Sequence, residues 1–113
     1  MIVTISSRHM EVTDALKAFA NQKAAKLTRY YDRIQEIEII LDNLKDSASV
    51  EMIVNGEHKS MFIANHSDGD AYACIDACVQ KLERQLTDYK KKIRNRKHPA
   101  SNDSVQQVSG NRN

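Results

Sequence analysis

The most regular pattern in the chain is an apolar stripe between residues 71 and 93. Apolar side chains recur there every three or four positions, at Ala71, Ile75, Cys78, Val79, Leu82, Leu86, Tyr89 and Ile93. An α-helix turns once in about 3.6 residues, so this spacing places all of them on one face and predicts an amphipathic helix of about six turns. Asp68 or Asp70 can cap its start, and Pro99 can end it. A helix with one apolar face has to pack on another element.

Four shorter segments alternate between apolar and polar residues, which is typical of β-strands. A further helix is predicted for residues 14–30, behind a Thr13 cap. The Asn55-Gly56 pair predicts a two-residue hairpin turn. The predicted strands cover residues 1–7, 35–42, 48–54 and 59–65. The order β-α-β-β-β-α predicts an α+β fold, a two-layer sandwich in which two helices lie side by side on one face of a four-stranded sheet.

A chain of 113 residues has room for one domain with one core. We expect this domain to span residues 1–97 and a disordered polar tail, rich in Ser, Asn and Gln, to span 98–113. Arg8 interrupts the first apolar stretch, so no secretory signal is predicted, and no run approaches the length of a membrane span. Cys74 and Cys78 lie four apart in a helical pattern, where a disulfide would be strained. They indicate a protein of the reducing cytoplasm.

Positive charge is concentrated near the end of the predicted second helix. Residues 81–97 carry a net charge of +6 within a total of +2, so the remainder of the chain carries −4. Such asymmetry indicates a polyanionic partner. Lys23, Lys26 and Arg29 share one flank of the predicted first helix, and packing on one sheet would let the basic flanks of both helices join. The alternative is an ordinary solvated helix face, since a helix C-terminus favours cations in any case.

No pattern in the chain predicts catalysis or a bound cofactor. The four histidines are scattered near element boundaries, at His9, His58, His66 and His98. The three glycines lack the spacing of a phosphate-binding loop. Cys74 and Cys78 could share a metal with His58 or His66, but two small packing residues are the favoured interpretation. We therefore expect no enzyme, no metal site and no small-molecule substrate.

Aromatic residues make up only 5% of the chain. Tyr31, Tyr72 and Tyr89 lie mostly on or near the predicted core stripes. Proteins that bind single strands by stacking use exposed aromatic platforms. The composition therefore argues against a single-strand stacker.

Two stretches of the sequence resemble a known family. The run KLERQL at residues 81–86, preceded by DAYACID at 70–76, is similar to the C-terminal helix of the ribosome hibernation promoting factor and ribosome-associated translation inhibitor family. The run ISSRHMEVT at 5–13, followed by AKL at 25–27, resembles its first strand and helix. The similarity covers roughly residues 1–97 and is with the short form of the family, whose members are also described as sigma-factor modulation proteins.

The resemblance implies a domain related to the double-stranded-RNA-binding fold. It implies a non-catalytic protein of the bacterial cytoplasm, induced in stress or stationary phase, that sits at the ribosomal subunit interface and contacts small-subunit ribosomal RNA in the decoding region. Such a protein blocks access of messenger and transfer RNA and so inhibits translation and preserves idle ribosomes. Free in solution, it is expected to be a monomer. Longer members carry a further domain that pairs ribosomes. The present chain is too short for it, so ribosome pairing is expected to need another factor.

The resemblance also assigns RNA contacts by matched position. These fall on Lys23, Lys26, Arg29, Lys81 and Arg84, and more weakly on Arg8. Asp88 departs from the basic or neutral residue expected there, but Lys91 and Lys92 follow and complete the candidate set. Two alternative functions remain open, a regulatory domain that modulates an alternative sigma factor and a generic binder of double-stranded RNA.

Overall fold

The computed structural model describes residues 1–95, and the predicted order of elements is confirmed. The tail expected at 98–113 and the end of the domain expected at residue 97 lie outside the described residues. The elements are β1 Ile2–Arg8, α1 Asp14–Ala25, a 3-10 turn Lys26–Arg29, β2 Ile34–Asn43, β3 Ala48–Gly56, a 3-10 turn Glu57–Lys59, β4 Met61–Asp68 and α2 Ala71–Asn95. Within this part of the chain, no helix combines the length and apolar character needed to cross a lipid bilayer.

The four strands form one mixed sheet in the order β1-β2-β3-β4. The first two strands pair in parallel, because α1 connects them, and the other two pairs are antiparallel. The register aligns Ile5 with Ile39, Ile39 with Met52 and Met52 with Ala64. Side chains alternate between the two faces of a strand. One face of the sheet is therefore apolar across its whole width.

Both helices cover this apolar face, as the sequence predicts. From α1 the fully buried Ala20 and Ala24 face the sheet. From α2 the larger Ile75, Leu82 and Leu86 are fully buried. Small residues on one helix and large ones on the other fill a single core.

Side chains cap the first turn of each helix. The Thr13 hydroxyl accepts a hydrogen bond of 3.1 Å from the Leu16 amide, as predicted for α1. Of the two aspartates considered for α2, Asp70 caps the helix, because its carboxylate accepts from the Tyr72 amide at 3.1 Å. Asp68 instead accepts from the amide of the adjacent Gly69.

The first helix is shorter than the predicted range of 14–30. It ends at Ala25, and the chain continues as a 3-10 turn in which the Thr28 hydroxyl donates to the Ala25 carbonyl at 2.8 Å. A 3-10 turn advances about 120° per residue rather than about 100°. The side chain of Arg29 is therefore displaced around the axis from the flank that a continuous α-helix would give it.

The hairpin between β3 and β4 also differs from the prediction. Strand β3 runs through Gly56, and the turn is made by Glu57–Lys59, with positive φ angles of 60° at His58 and 61° at Lys59. Gly56 serves close packing instead, since a Cβ there would lie 2.8 Å from the Tyr31 ring and 2.8 Å from the Ser60 hydroxyl. The Asn-Gly pair marks a tight contact in this chain and not a two-residue turn.

The buried stripe of α2 generates a stability prediction. Leu82 is fully buried, so Leu82→Ala should lower the free energy of unfolding by about 2 to 5 kcal/mol, through lost burial and the cavity left behind. Ile63→Ala is the control, because Ile63 lies on the uncovered sheet face and should change stability by only about 0.5 kcal/mol. Urea denaturation of both variants measures the difference. Equal losses would show that the α2 stripe is not the core.

Candidate nucleic-acid interface

The two helices run parallel and touch along one seam. The ring centroids of Phe19 and Tyr72 lie 5.0 Å apart, and the Lys23 ammonium lies 3.2 Å from an Asp76 carboxylate oxygen. From the first contact to the second, the residue number rises by four on both helices, so the helices point in the same direction. We call this contact line the α1–α2 seam. It brings the predicted cations of α1 against one flank of α2.

Lys23 is held inside the α1–α2 seam. Its side chain is only 22% exposed, and its ammonium lies 5.5 Å from the centroid of the Phe19 ring as well as beside Asp76. The Asp76 carboxylate raises the pKa of Lys23 above its ordinary value, and Glu83 adds to this effect. The positive charge of Lys23 is therefore partly neutralised by α2.

Lys81 lies on the other flank of α2, away from the seam. It follows Asp76 by five residues, which is about 140° around the helix axis. Its ammonium donates to the main-chain carbonyl of Asn65 at 2.7 Å and lies 3.4 Å from His66 Nδ1. Gln85 donates in the same way to the Ile63 carbonyl at 2.9 Å.

These two bonds occupy outward-facing carbonyls of β4, an edge strand that would otherwise be open to pairing. Sequence reasoning missed this role of Lys81, because the contact joins residues far apart in the chain. A lysine ammonium has three donors, so the bond to Asn65 leaves donors for a phosphate.

Of the predicted contact residues on α2, Arg84, Lys91 and Lys92 are exposed, and Lys90 and Arg94 are exposed as well. Arg84 and Lys91 lie two turns apart, about 10 Å along the axis, on the side opposite the buried stripe. Neither they nor Lys92 forms an ion pair with another of the residues 1–95. Asp88 is exposed one helical turn from all three and weakens the positive potential there.

The end of α2 projects beyond the sheet. Its 25 residues span about 37 Å, whereas the eight residues of β4 span about 27 Å. Residues 90–94 are all exposed as a result. Ile93 was predicted to lie on the core stripe, and this is wrong, because it is 39% exposed where no strand lies beneath it.

On the α1 side, Lys26 is half-buried and Arg29 is exposed. Asp76 and Glu83 of α2 lie on one line, about 20° apart around the axis, and both interact with the charge of Lys23. The predicted joining of the two basic flanks is therefore interrupted, since carboxylates of α2 occupy the seam between them.

Arg8 is separated from the other candidates. It ends β1 on the face of the sheet that the helices do not cover, opposite Asp42 in the register. There it borders a shallow depression that Glu51 and His66 also line. This uncovered face is acidic, and its carboxylates come from Glu36, Glu38, Asp42 and Glu51. The two faces of the molecule thus carry charge of opposite sign.

The two cysteines have a packing role. The thiols of Cys74 and Cys78 are buried and donate to the carbonyls of Ala48 and Val50, each at 3.4 Å. Burial raises the pKa of Cys78 to about 12. Over residues 1–95 the structure shows no group of three or more His, Cys, Asp or Glu side chains arranged to hold a metal ion.

The fold and the exposed cations define a class, a small α+β domain that presents a basic helix face on one side of a sheet. Residues 3–94 match the family described as Sigma 54 modulation protein / S30EA ribosomal protein, and the chain belongs to this family. The predicted family and the α+β fold are both confirmed.

Two relatives show the extent of the match. The chain is 36% identical to the ribosome hibernation promoting factor of Azotobacter vinelandii over 94 residues, covering 81% of this chain and 85% of the relative. It is 34% identical to that of Escherichia coli K12 over 96 residues, covering 83% and 98%.

Two solved structures share the fold. One is the N-terminal domain of Thermus thermophilus Protein Y, with a TM-score of 0.73, 29% identity and coverage of 79% of this chain and 99% of that one. The other is a ribosomal subunit interface protein from Coxiella burnetii, with a TM-score of 0.75, 26% identity and coverage of 80% and 99%.

The Lys81 contact generates a second stability prediction. Lys81→Ala should lower the free energy of unfolding by about 0.5 to 1 kcal/mol, because it removes a charged hydrogen bond that protects the β4 edge. Arg84→Ala should leave the free energy of unfolding within about 0.5 kcal/mol of its original value, since that side chain is exposed. Urea titrations of the two variants decide this. If both behave alike, Lys81 has no role in the fold.

Proposed function

We propose that this protein is a ribosome hibernation factor that binds small-subunit ribosomal RNA in the decoding region and excludes messenger and transfer RNA. The match of residues 3–94 to a ribosomal protein family carries the proposal. It is supported by relatives named ribosome hibernation promoting factor and by a structural relative named as a ribosomal subunit interface protein. The proposed action is occupancy of a site and involves no catalytic step. The ribosome as partner makes the cytoplasm the place of action, and the free protein is proposed to be a monomer.

Exposed cations supply the proposed contacts. Each lysine or arginine that meets a phosphate releases condensed counterions, which favours binding at low salt. Structured RNA is recognised largely by shape, backbone and 2′-hydroxyl contacts, which a rigid helix can make. We assign the main contacts to Arg84, Lys91 and Lys92, and further contacts to Lys26 and Arg29.

The remaining candidates have smaller roles in the proposal. Lys81 contacts RNA with the donors that Asn65 leaves free. Lys23 contributes less because Asp76 shares its charge, and Arg8 contributes least because it lies on the acidic face. That acidic face repels phosphate, so the helix side of the molecule makes the main contact with RNA.

A second candidate function is a regulatory contact with a protein such as a sigma factor, which the family description also mentions. The exposed apolar side chains of Ile2, Met61 and Ile63 on the uncovered sheet face favour it. Docking through apolar surface depends weakly on salt, whereas phosphate contacts weaken steeply as salt rises. Binding measured at two ionic strengths therefore separates the candidates. A plain RNA duplex as competitor then distinguishes ribosome binding from general binding of double-stranded RNA.

The exposed cations of α2 generate the central prediction. Arg84→Gln combined with Lys91→Gln should weaken co-sedimentation with small ribosomal subunits and relieve inhibition of cell-free translation. The slope of log affinity against log salt should become shallower by about two, because two phosphate contacts are lost. The matched control is Lys17→Gln with Lys45→Gln, which removes the same charge elsewhere and should leave the slope unchanged.

Two results would contradict the proposal. One is failure of the unaltered protein to sediment with small subunits at low salt. The other is equal loss of affinity in both double variants, which would show a response to net charge alone.

Asp88 generates a prediction of the opposite sign. Asp88→Asn should tighten binding to small subunits, since a carboxylate one turn from Arg84, Lys91 and Lys92 opposes every phosphate contact. The gain should shrink as salt rises, because the effect is electrostatic. Asp46→Asn makes the same change of charge in the β2–β3 loop and should have no such effect. Unchanged or weaker binding of Asp88→Asn would place the RNA elsewhere on the molecule.

A further inference from the structure

One aromatic ring on the helix side of the molecule is exposed. Tyr72, expected from the sequence to lie on or near the core, is the second residue of α2 and is 38% exposed. Three other rings, those of Tyr31, Phe62 and Tyr89, form a cluster in which they pack against one another with centroid separations of 5.1 to 6.2 Å. The fourth tyrosine, Tyr30, is partly buried against the core, so Tyr72 is the most exposed tyrosine among residues 1–95.

The ring of Tyr72 is held in place. Its only aromatic neighbour within residues 1–95 is Phe19, at a centroid separation of 5.0 Å and an interplanar angle of 67°. In an edge-to-face pair, one ring presents its face and the other its edge. Whichever arrangement applies, at least one face of Tyr72 is left uncovered by Phe19. The Asp70 cap on the Tyr72 amide fixes the backbone of this first turn.

A cation lies one helical turn from this ring, over the neighbouring Phe19. Lys23 is one helical turn further along the α1–α2 seam, and its ammonium contacts both the Phe19 ring and Asp76. Bases in loops, bulges and strand ends of RNA stack on aromatic side chains, and nearby cations bind the attached phosphates. The surface therefore combines the two groups that an unpaired nucleotide needs.

We propose that Tyr72 is a stacking platform for an unpaired base of the bound RNA, with Lys23 next to the phosphate of that nucleotide or its neighbour. This inference rests on the proposed function, because it requires RNA on the helix side. Stacking on Tyr72 adds affinity that does not depend on charge, and the cations of α2 do not contribute to it. Stacking accepts any base, so Tyr72 selects for an unstacked nucleotide and not for a sequence.

The absence of tryptophan from the chain provides a direct test. Tyr72→Trp introduces a single indole whose fluorescence should fall when small ribosomal subunits are added, because a stacked base quenches it. Ile63→Trp is the control. Ile63 is 41% exposed on the opposite, acidic face, and an indole there should keep its fluorescence on binding. An unchanged signal from Tyr72→Trp, in a sample shown by sedimentation to be bound, would overturn the inference.

Affinity measurements complete the test. Tyr72→Phe keeps the ring and should bind small subunits as the original protein does. Tyr72→Leu should bind about 5- to 100-fold more weakly, at moderate and at high salt alike, with urea stability close to that of Tyr72→Phe. Equal affinity of the Leu and Phe variants would show that the ring is a packing residue only. Failure of the original protein to bind small subunits is a separate result and would remove the proposed function together with this inference.

Discussion

The packing of α2 on β3 and β4 determines what the rest of the molecule can present. The thiols of Cys74 and Cys78 donate to the carbonyls of Ala48 and Val50 on β3. Four residues of helix advance about 6 Å and two residues of strand about 7 Å, so the two repeats match. The same match recurs on β4, where two side chains four apart on α2, Lys81 and Gln85, donate to carbonyls two apart. The apolar stripe and these four contacts together fix the position of α2 along its axis and its rotation about it.

This fixed rotation decides which charges meet. With Leu82 pointing into the core, Asp76 must face α1 and Lys81 must face the β4 edge, because they lie about 140° apart. Arg84 and Lys91 are then left pointing outward. Helix α2 therefore has three roles. Asp76 forms the ion pair with α1, Lys81 covers the edge of β4, and the outward ridge formed by Arg84 and Lys91 remains available to a partner.

Periodicity predicted the fold well because it reports burial directly. The stripe from Ala71 to Leu86, the alternation in the strands and the Thr13 cap all follow from local sequence. The errors have non-local causes. Ile93 has the right spacing, but the sheet ends before it, and Gly56 is needed for contact with Tyr31 and not for a turn. Element lengths and distant contacts decide such positions, and neither can be inferred from periodicity.

The candidate site was harder to predict than the fold, because net charge says little about pairing. Counting basic residues did not show that Asp76 holds Lys23 or that the Asn65 carbonyl holds Lys81. The exposure of Tyr72 was also missed, because its spacing places it on the seam flank, where burial depends on the neighbouring helix.

These pairings bear on how RNA could lie on the molecule. Carboxylates line the seam, so a phosphate backbone that crossed directly from α1 to α2 would pass Asp76 and Glu83. A path along the outward ridge of α2 meets Arg84 and then Lys91 with only Asp88 opposing it. From Arg84 to Lys91 this ridge extends about 10 Å along one rigid helix. Under the proposed function, the electrostatics therefore favour RNA that follows α2 lengthwise over RNA whose backbone crosses the seam.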